Sequence, residues 1–109
     1  MKKFYLIGNS IEKSFSPYIH TWIYKFLDIN AQYKNKNIEI INFNRQIPNI
    51  LAEIKAGSLD GINITNPYKI KIISPHMTLS KDAKNINAVN CIYKYNNNLL
   101  ADNTDWIGF

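Results

Sequence analysis

The sequence predicts an α/β fold: a three-layer sandwich in which a mostly parallel sheet carries helices on both faces and finishes in an antiparallel C-terminal hairpin. Three observations predict it. Short apolar runs stop abruptly at glycine or asparagine, as in Phe4-Tyr5-Leu6-Ile7-Gly8-Asn9 and Gly61-Ile62-Asn63-Ile64-Thr65-Asn66, the pattern of strands buried on both faces. Segments with apolar residues spaced three and four apart alternate with these runs, as β-α-β units require. Near the C-terminal end, two β-forming runs flank Asn96-Asn97-Asn98, residues that tolerate left-handed turn geometry.

The first strand is Phe4 to Ile7. Ser16-Pro17 then opens a helix, serine as N-cap and proline at the first helical position, and Ile19, Trp22, Ile23, Phe26 and Leu27 give that helix one apolar stripe. Asp28-Ile29-Asn30 ends it. A second strand is expected within 31–41, where Tyr33, Ile38, Ile40 and Ile41 are β-formers. The next helix runs from about Arg45 to Ala56, with Pro48 near its first turn and Gly57 as its C-terminal cap. The third strand spans 61–65 and is stopped by Asn66-Pro67. Short helical pieces fill 68–88, and the hairpin pairs Val89–Tyr95 with Leu99–Asn103.

At 109 residues the chain reads as one domain, 1–109, large enough to bury about two thirds of its unfolded surface. The four glycines, at 8, 57, 61 and 108, never stand two apart. The chain therefore has no G-x-G-x-x-G or G-x-x-x-x-G-K phosphate loop, and no cofactor-binding residue is assigned in it. A single cysteine, Cys91, and the absence of His/Cys pairs at ligand spacing exclude an internal disulfide and argue against a metal site; a reducing cytoplasm suits such a chain. No stretch approaches a membrane span. The net charge of +5 comes from twelve scattered lysines and Arg45, without the basic and aromatic interleaving of a nucleic-acid surface.

In sheets of this kind ligands bind beyond the carboxyl ends of the strands, and the polar segments of this chain cluster there. Ser14-Phe15-Ser16-Pro17 follows strand one and places two hydroxyls beside a helix N-terminus, an anion site by dipole and donors. Thr65-Asn66-Pro67-Tyr68-Lys69 follows strand three and brings a hydroxyl and an amine. Asn87-Ala88-Val89-Asn90 adds amides, and Asn103-Thr104-Asp105 brings a carboxylate. Each has a plainer reading alone: Ser16 as an N-cap, Lys69 as a surface lysine, Asp105 as the cap of a following helix. Their joint placement is the signal.

These segments, together with Gly8-Asn9, Tyr18-Ile19-His20 and Trp106-Ile107-Gly108-Phe109, resemble the successive motifs of the shikimate dehydrogenase family, in its order and over essentially the whole chain. The resemblance is to the family's N-terminal substrate-binding and catalytic domain only. It implies a parent enzyme that reversibly reduces 3-dehydroshikimate to shikimate with NADPH, on the route to aromatic amino acids. It implies that Ser14 and Ser16 hold the substrate carboxylate, that Thr65, Asn90 and Asp105 bind ring hydroxyls, and that Lys69 and Asp105 form the acid/base pair. It implies too that NADP is bound mainly by a C-terminal domain outside these residues. Thr21, Asn66, Ala88, Cys91, Ala101 and Trp106 depart from the usual family pattern, and none removes a proposed functional group.

Carbonyl reduction needs a proton donor within about 3 Å of the developing alkoxide, which a lysine ammonium beside a carboxylate supplies. The isolated domain is expected to bind shikimate or 3-dehydroshikimate without turnover. Two alternatives share these residues: a quinate/shikimate dual-specificity domain, and a stand-alone small-molecule-binding module without catalysis. An exposed interdomain face would also allow a homodimer.

Overall fold

The computed structural model describes residues 1–9 and 30–104. Within them the elements are β1 (Lys2–Gly8), β2 (Ala31–Asn37), a 3-10 turn (Ile40–Asn42), α1 (Phe43–Ala56), β3 (Gly61–Ile64), β4 (Met77–Leu79), α2 (Lys81–Ile86), β5 (Cys91–Tyr95) and β6 (Asn98–Asp102). The six strands form one sheet in the order β2-β1-β3-β5-β6-β4. β1 is parallel to both β2 and β3, β5 runs antiparallel to its neighbours β3 and β6, and β4 is parallel to β6. The predicted α/β architecture is therefore present: five strands point one way and β5 alone runs back.

The alternation along β1 sorts its side chains between two faces. Ile7 lies opposite Ile64 and Tyr5 opposite Ile62. Together with Ile92 and Ala101, partners across the hairpin, these residues build one apolar face. Phe43, Ile47, Ile50 and Ile54 of α1 and Ala83 of α2 pack into the same cluster. The other face of β1 carries Phe4 and Leu6, which join Tyr33 in a second, smaller cluster, and there the Asn63 amide donates to the Tyr33 hydroxyl at 2.9 Å. Strand one is thus buried on both sides, as its continuous apolar run predicts. The helix expected to open at Ser16-Pro17 and end at Asp28-Ile29-Asn30 would form the third layer; residues 16–29 lie outside the described residues.

Several boundaries differ from the sequence reading. β2 stops at Asn37 because Ile38 turns into the core, 1% exposed, and its N–H donates to Gly8 O at 2.8 Å. Ile40 and Ile41 are consequently exposed in a turn rather than paired in a strand. α1 begins at Phe43, so Pro48 is six residues in and removes an intrahelical bond to the Asn44 carbonyl; Asn44 is exposed, which leaves that carbonyl's side of the helix open to water.

Part of the stretch read as helical is β4, a three-residue edge strand parallel to β6. Val89 and Asn103 lie just outside their strands. The hairpin turn is the pair Asn96-Asn97, both with positive φ, the requirement of a two-residue turn that matches strand twist. Gly57 caps α1 at φ 89°, its N–H reaching back to Glu53 and Ile54.

Candidate functional site

The direction of β5 decides where the site falls. Parallel β1, β3 and β6 end at one edge of the sheet, and β5, running backwards, begins there. Residues that follow three strands and precede a fourth therefore meet. Backbone bonds stitch them together: Thr65 N–H donates to Ile7 O at 2.9 Å, Ile64 N–H to Asn90 O at 2.7 Å, and Asn90 N–H to Asp102 O at 3.0 Å.

Thr65 is half-buried immediately after β3. The loop that follows contains a cis Asn66-Pro67 peptide and is pinned by Tyr68, whose side chain is fully buried. The Tyr68 ring stacks on Phe43 with centroids 4.4 Å apart, and its hydroxyl donates to the Ile38 carbonyl. Burial, and secondarily the Glu39 carboxylate, push the Tyr68 hydroxyl above its ordinary pKa of 10.0. Tyr68 stands inside a motif singled out from the sequence but was given no role; an aromatic between Pro67 and Lys69 in a polar loop was the signal.

Lys69, half-buried, accepts through its carbonyl the Val89 N–H at 2.7 Å. This bond lashes the Lys69 segment to the residue preceding Asn90. Asn87 closes α2 in the left-handed conformation at φ 58°, which suits asparagine, and turns the chain so that Val89 plugs the core, 0% exposed. Asn90 is left at the strand mouth. Its side chain is clamped by Thr104: the amide Nδ2 donates to Thr104 Oγ1 at 3.0 Å, and Oδ1 accepts the Thr104 N–H at 3.1 Å.

Two further residues brace the edge from behind. Asn103, 1% exposed, donates from Nδ2 to Ala88 O at 3.1 Å. Asp102 Oδ1 accepts both the Ser80 hydroxyl, at 2.6 Å, and the Asn103 N–H, at 2.8 Å. Ser80 Oγ in turn caps α2 by accepting the Ala83 N–H at 3.1 Å. Sequence reasoning assigned no role to Thr104, Asp102 or Ser80, because their partners depend on strand register rather than on local pattern.

The described residues thus bring Thr65, Lys69 and Asn90 to one edge. Ser14, Ser16 and Asp105, the other expected site residues, lie outside the described residues. Hydroxyl, amide and ammonium groups on a rigid backbone lattice can donate to and orient a small polyhydroxylated molecule and deliver a proton to it. Among the described residues no group of three or more His, Cys, Asp or Glu could hold a metal ion, and no helix is long and apolar enough to cross a membrane.

A family model described as the shikimate dehydrogenase substrate binding domain matches residues 6–92. The shikimate dehydrogenase (NADP(+)) of Caldicellulosiruptor saccharolyticus is 40% identical over 109 residues, 100% of this chain and 38% of that protein. Its counterpart in Pyrococcus furiosus is 33% identical over 103 residues, 94% of this chain and 36% of that protein. The crystal structure of shikimate dehydrogenase 1 from Peptoclostridium difficile superposes with a TM-score of 0.85 at 36% identity, covering 98% of this chain and 38% of that one. Shikimate 5-dehydrogenase of Thermus thermophilus, solved with NADP(H) and shikimate, superposes with a TM-score of 0.81 at 26% identity, over 96% of this chain and 38% of that one. The chain spans well under half the length of these relatives.

Proposed function

The chain belongs to the shikimate dehydrogenase substrate-binding domain family, and from that membership we propose that it is the substrate-holding half of an NADP-dependent shikimate dehydrogenase, binding shikimate or 3-dehydroshikimate. Ser14 and Ser16 bind the carboxylate. Thr65, Asn90 and Asp105 bind ring hydroxyls. Lys69, with Asp105, handles the proton at the oxygen that becomes or ceases to be a carbonyl.

The observation that carries the proposal is the convergence of Thr65, Lys69 and Asn90 on one edge through bonds between their own segments. In the reductive direction the Lys69 ammonium donates its proton to the carbonyl oxygen as negative charge develops there, and its charge stabilises that oxygen meanwhile. Asn90, held at both ends of its amide by Thr104, keeps a set orientation toward the ring, so that little ordering remains to be done when substrate arrives.

NADP supplies the hydride when bound. The four glycines of this chain form no phosphate loop, so the dinucleotide would be held mainly by a C-terminal domain outside these residues. The 109 residues are then expected to bind substrate without turning it over.

An NMR titration with shikimate tests the proposal. Saturable shifts at the amides of Thr65, Lys69, Asn90 and Thr104 are expected at millimolar ligand. A well-dispersed spectrum that shikimate leaves unchanged would sink the proposal. Running quinate in parallel distinguishes a shikimate-selective site from a dual-specificity one.

A further inference from the structure

Away from the strand-end site, a cavity of about 450 Å³ runs along the flank of α1, a volume within the usual range of roughly 300–1,000 Å³ for small-molecule sites. Phe43, Ile47, Leu51 and Lys55 recur every fourth residue along it, so the groove follows α1 for about 18 Å at 1.5 Å per residue. The facing wall comes from Lys71 to Ser74 with His76, and Leu99 lies in its floor. Phe43, Ile47, Ile72 and Leu99 are all buried, so the bottom of the groove is apolar. None of Thr65, Lys69, Asn90 or Thr104 lines it.

The charges around this groove are of one sign. Lys55 and Lys71 line it, and no carboxylate does. The Lys71 ammonium sits 5.1 Å from the centre of the Phe43 ring, a cation–π contact that sets this exposed charge beside the Phe43 end of the groove. An apolar slot with a cation held at one end and a second cation twelve residues along the helix complements a slender apolar molecule that carries a terminal anion.

We propose that the groove between α1 and residues 71–76 is a second ligand site, which takes a linear amphipathic carboxylate of medium chain length. The chain lies over Ile47, Leu51 and Leu99, and the carboxylate pairs with the Lys71 ammonium. The site is independent of the strand-end site and stands whether or not that one binds shikimate.

A methyl-detected NMR titration of the chain with decanoate, kept below its micelle concentration, tests this. Saturable shifts are expected at the Ile47, Leu51, Ile72 and Leu99 methyls. Decyltrimethylammonium, with the same chain and opposite charge, should leave them in place. Lys71→Glu should weaken decanoate binding about tenfold, the usual scale for losing one charged contact; if that variant unfolds, Lys71→Gln serves in its place.

The site is overturned by no saturable shift at these methyls, by equal binding of both surfactants, or by full affinity in a folded Lys71 variant. Loss of the decanoate shifts when the chain is joined to the rest of a longer polypeptide would assign the groove to that polypeptide and overturn the site equally.

Discussion

Asn90 and Thr104 hold each other at two points: the Asn90 amide gives its Nδ2 hydrogen to Thr104 Oγ1 and receives the Thr104 N–H on Oδ1. The pair spans fourteen residues of sequence, bridging the entrance of β5 and the exit of β6. One of its two bonds uses main chain and survives any substitution at 104 except proline. The other depends on the hydroxyl alone.

Replacing Thr104 with valine keeps the shape and removes that hydroxyl, so the Asn90 amide loses its hold at the Nδ2 end while Oδ1 keeps the Thr104 N–H. Shikimate affinity is expected to fall about five- to tenfold, the equivalent of one net hydrogen bond, with the melting temperature nearly unchanged. Thr104→Ser should restore it. Titration of wild type and both variants by NMR checks the pattern, and equal affinity in the valine variant would contradict it.

Lys69→Ala, made in the full-length enzyme, should lower kcat by about 10²- to 10⁴-fold, the usual contribution of a positioned proton donor, while KM moves far less. Steady-state kinetics with shikimate and NADP measures both. A large rise in KM with kcat preserved would make Lys69 a binding residue only.

Tyr68→Phe removes the donor to the Ile38 carbonyl and should cost about 1–3 kcal/mol for leaving a buried acceptor unpaired, read by urea unfolding. The hydroxyl also sets an alkaline limit. Its folded-state pKa is raised above 10.0 by burial and by Glu39, so the unfolded chain ionises first. The stabilisation is complete below pH 10 and is lost as pH rises from 10 through the raised value. Tyr93, raised chiefly by burial and then by Asp102, adds to the same decline. Wild type should therefore lose stability more steeply above pH 10 than the phenylalanine variant; identical slopes would contradict the assignment.

At Gly57, φ is 89° and a Cβ would meet nothing within 4 Å, so the cost of Gly57→Ala is purely conformational. About 1 kcal/mol of destabilisation is expected, visible as a lower urea midpoint with an unchanged m-value. No loss of stability would mean that the helix end re-forms without a left-handed residue.

The parts of this fold that could be read from sequence are those whose pattern is local. Phe4–Ile7 and Gly61–Ile64 announce buried strands by composition and by the residues that stop them, and the three- and four-residue spacing of Ile47, Ile50, Leu51 and Ile54 announces an amphipathic helix. β4 could not be read, because Met77-Thr78-Leu79 is too short to show a period and is a strand only through its pairing with β6. Ile40 and Ile41 misled for the opposite reason: their β-propensity is real, but Ile38 had already taken the buried position and turned the chain. At the site, Thr65, Lys69 and Asn90 were legible as polar residues at strand ends. The support from Tyr68, Asp102 and Thr104 was not, since each partner is chosen by tertiary register.

The two-residue turn at Asn96-Asn97 lies at the far end of a hairpin whose arms are five residues each, about 17 Å from the strand-end site at 3.4 Å per residue. The hairpin therefore acts as a ruler, measuring off from its tip where Asn90 and Thr104 stop. Adding or deleting one asparagine there would slide one arm against the other and invert which face each side chain meets. The segment with the most repetitive sequence in the chain, three asparagines in a row, is thus one whose length sets the register at the opposite end of the hairpin.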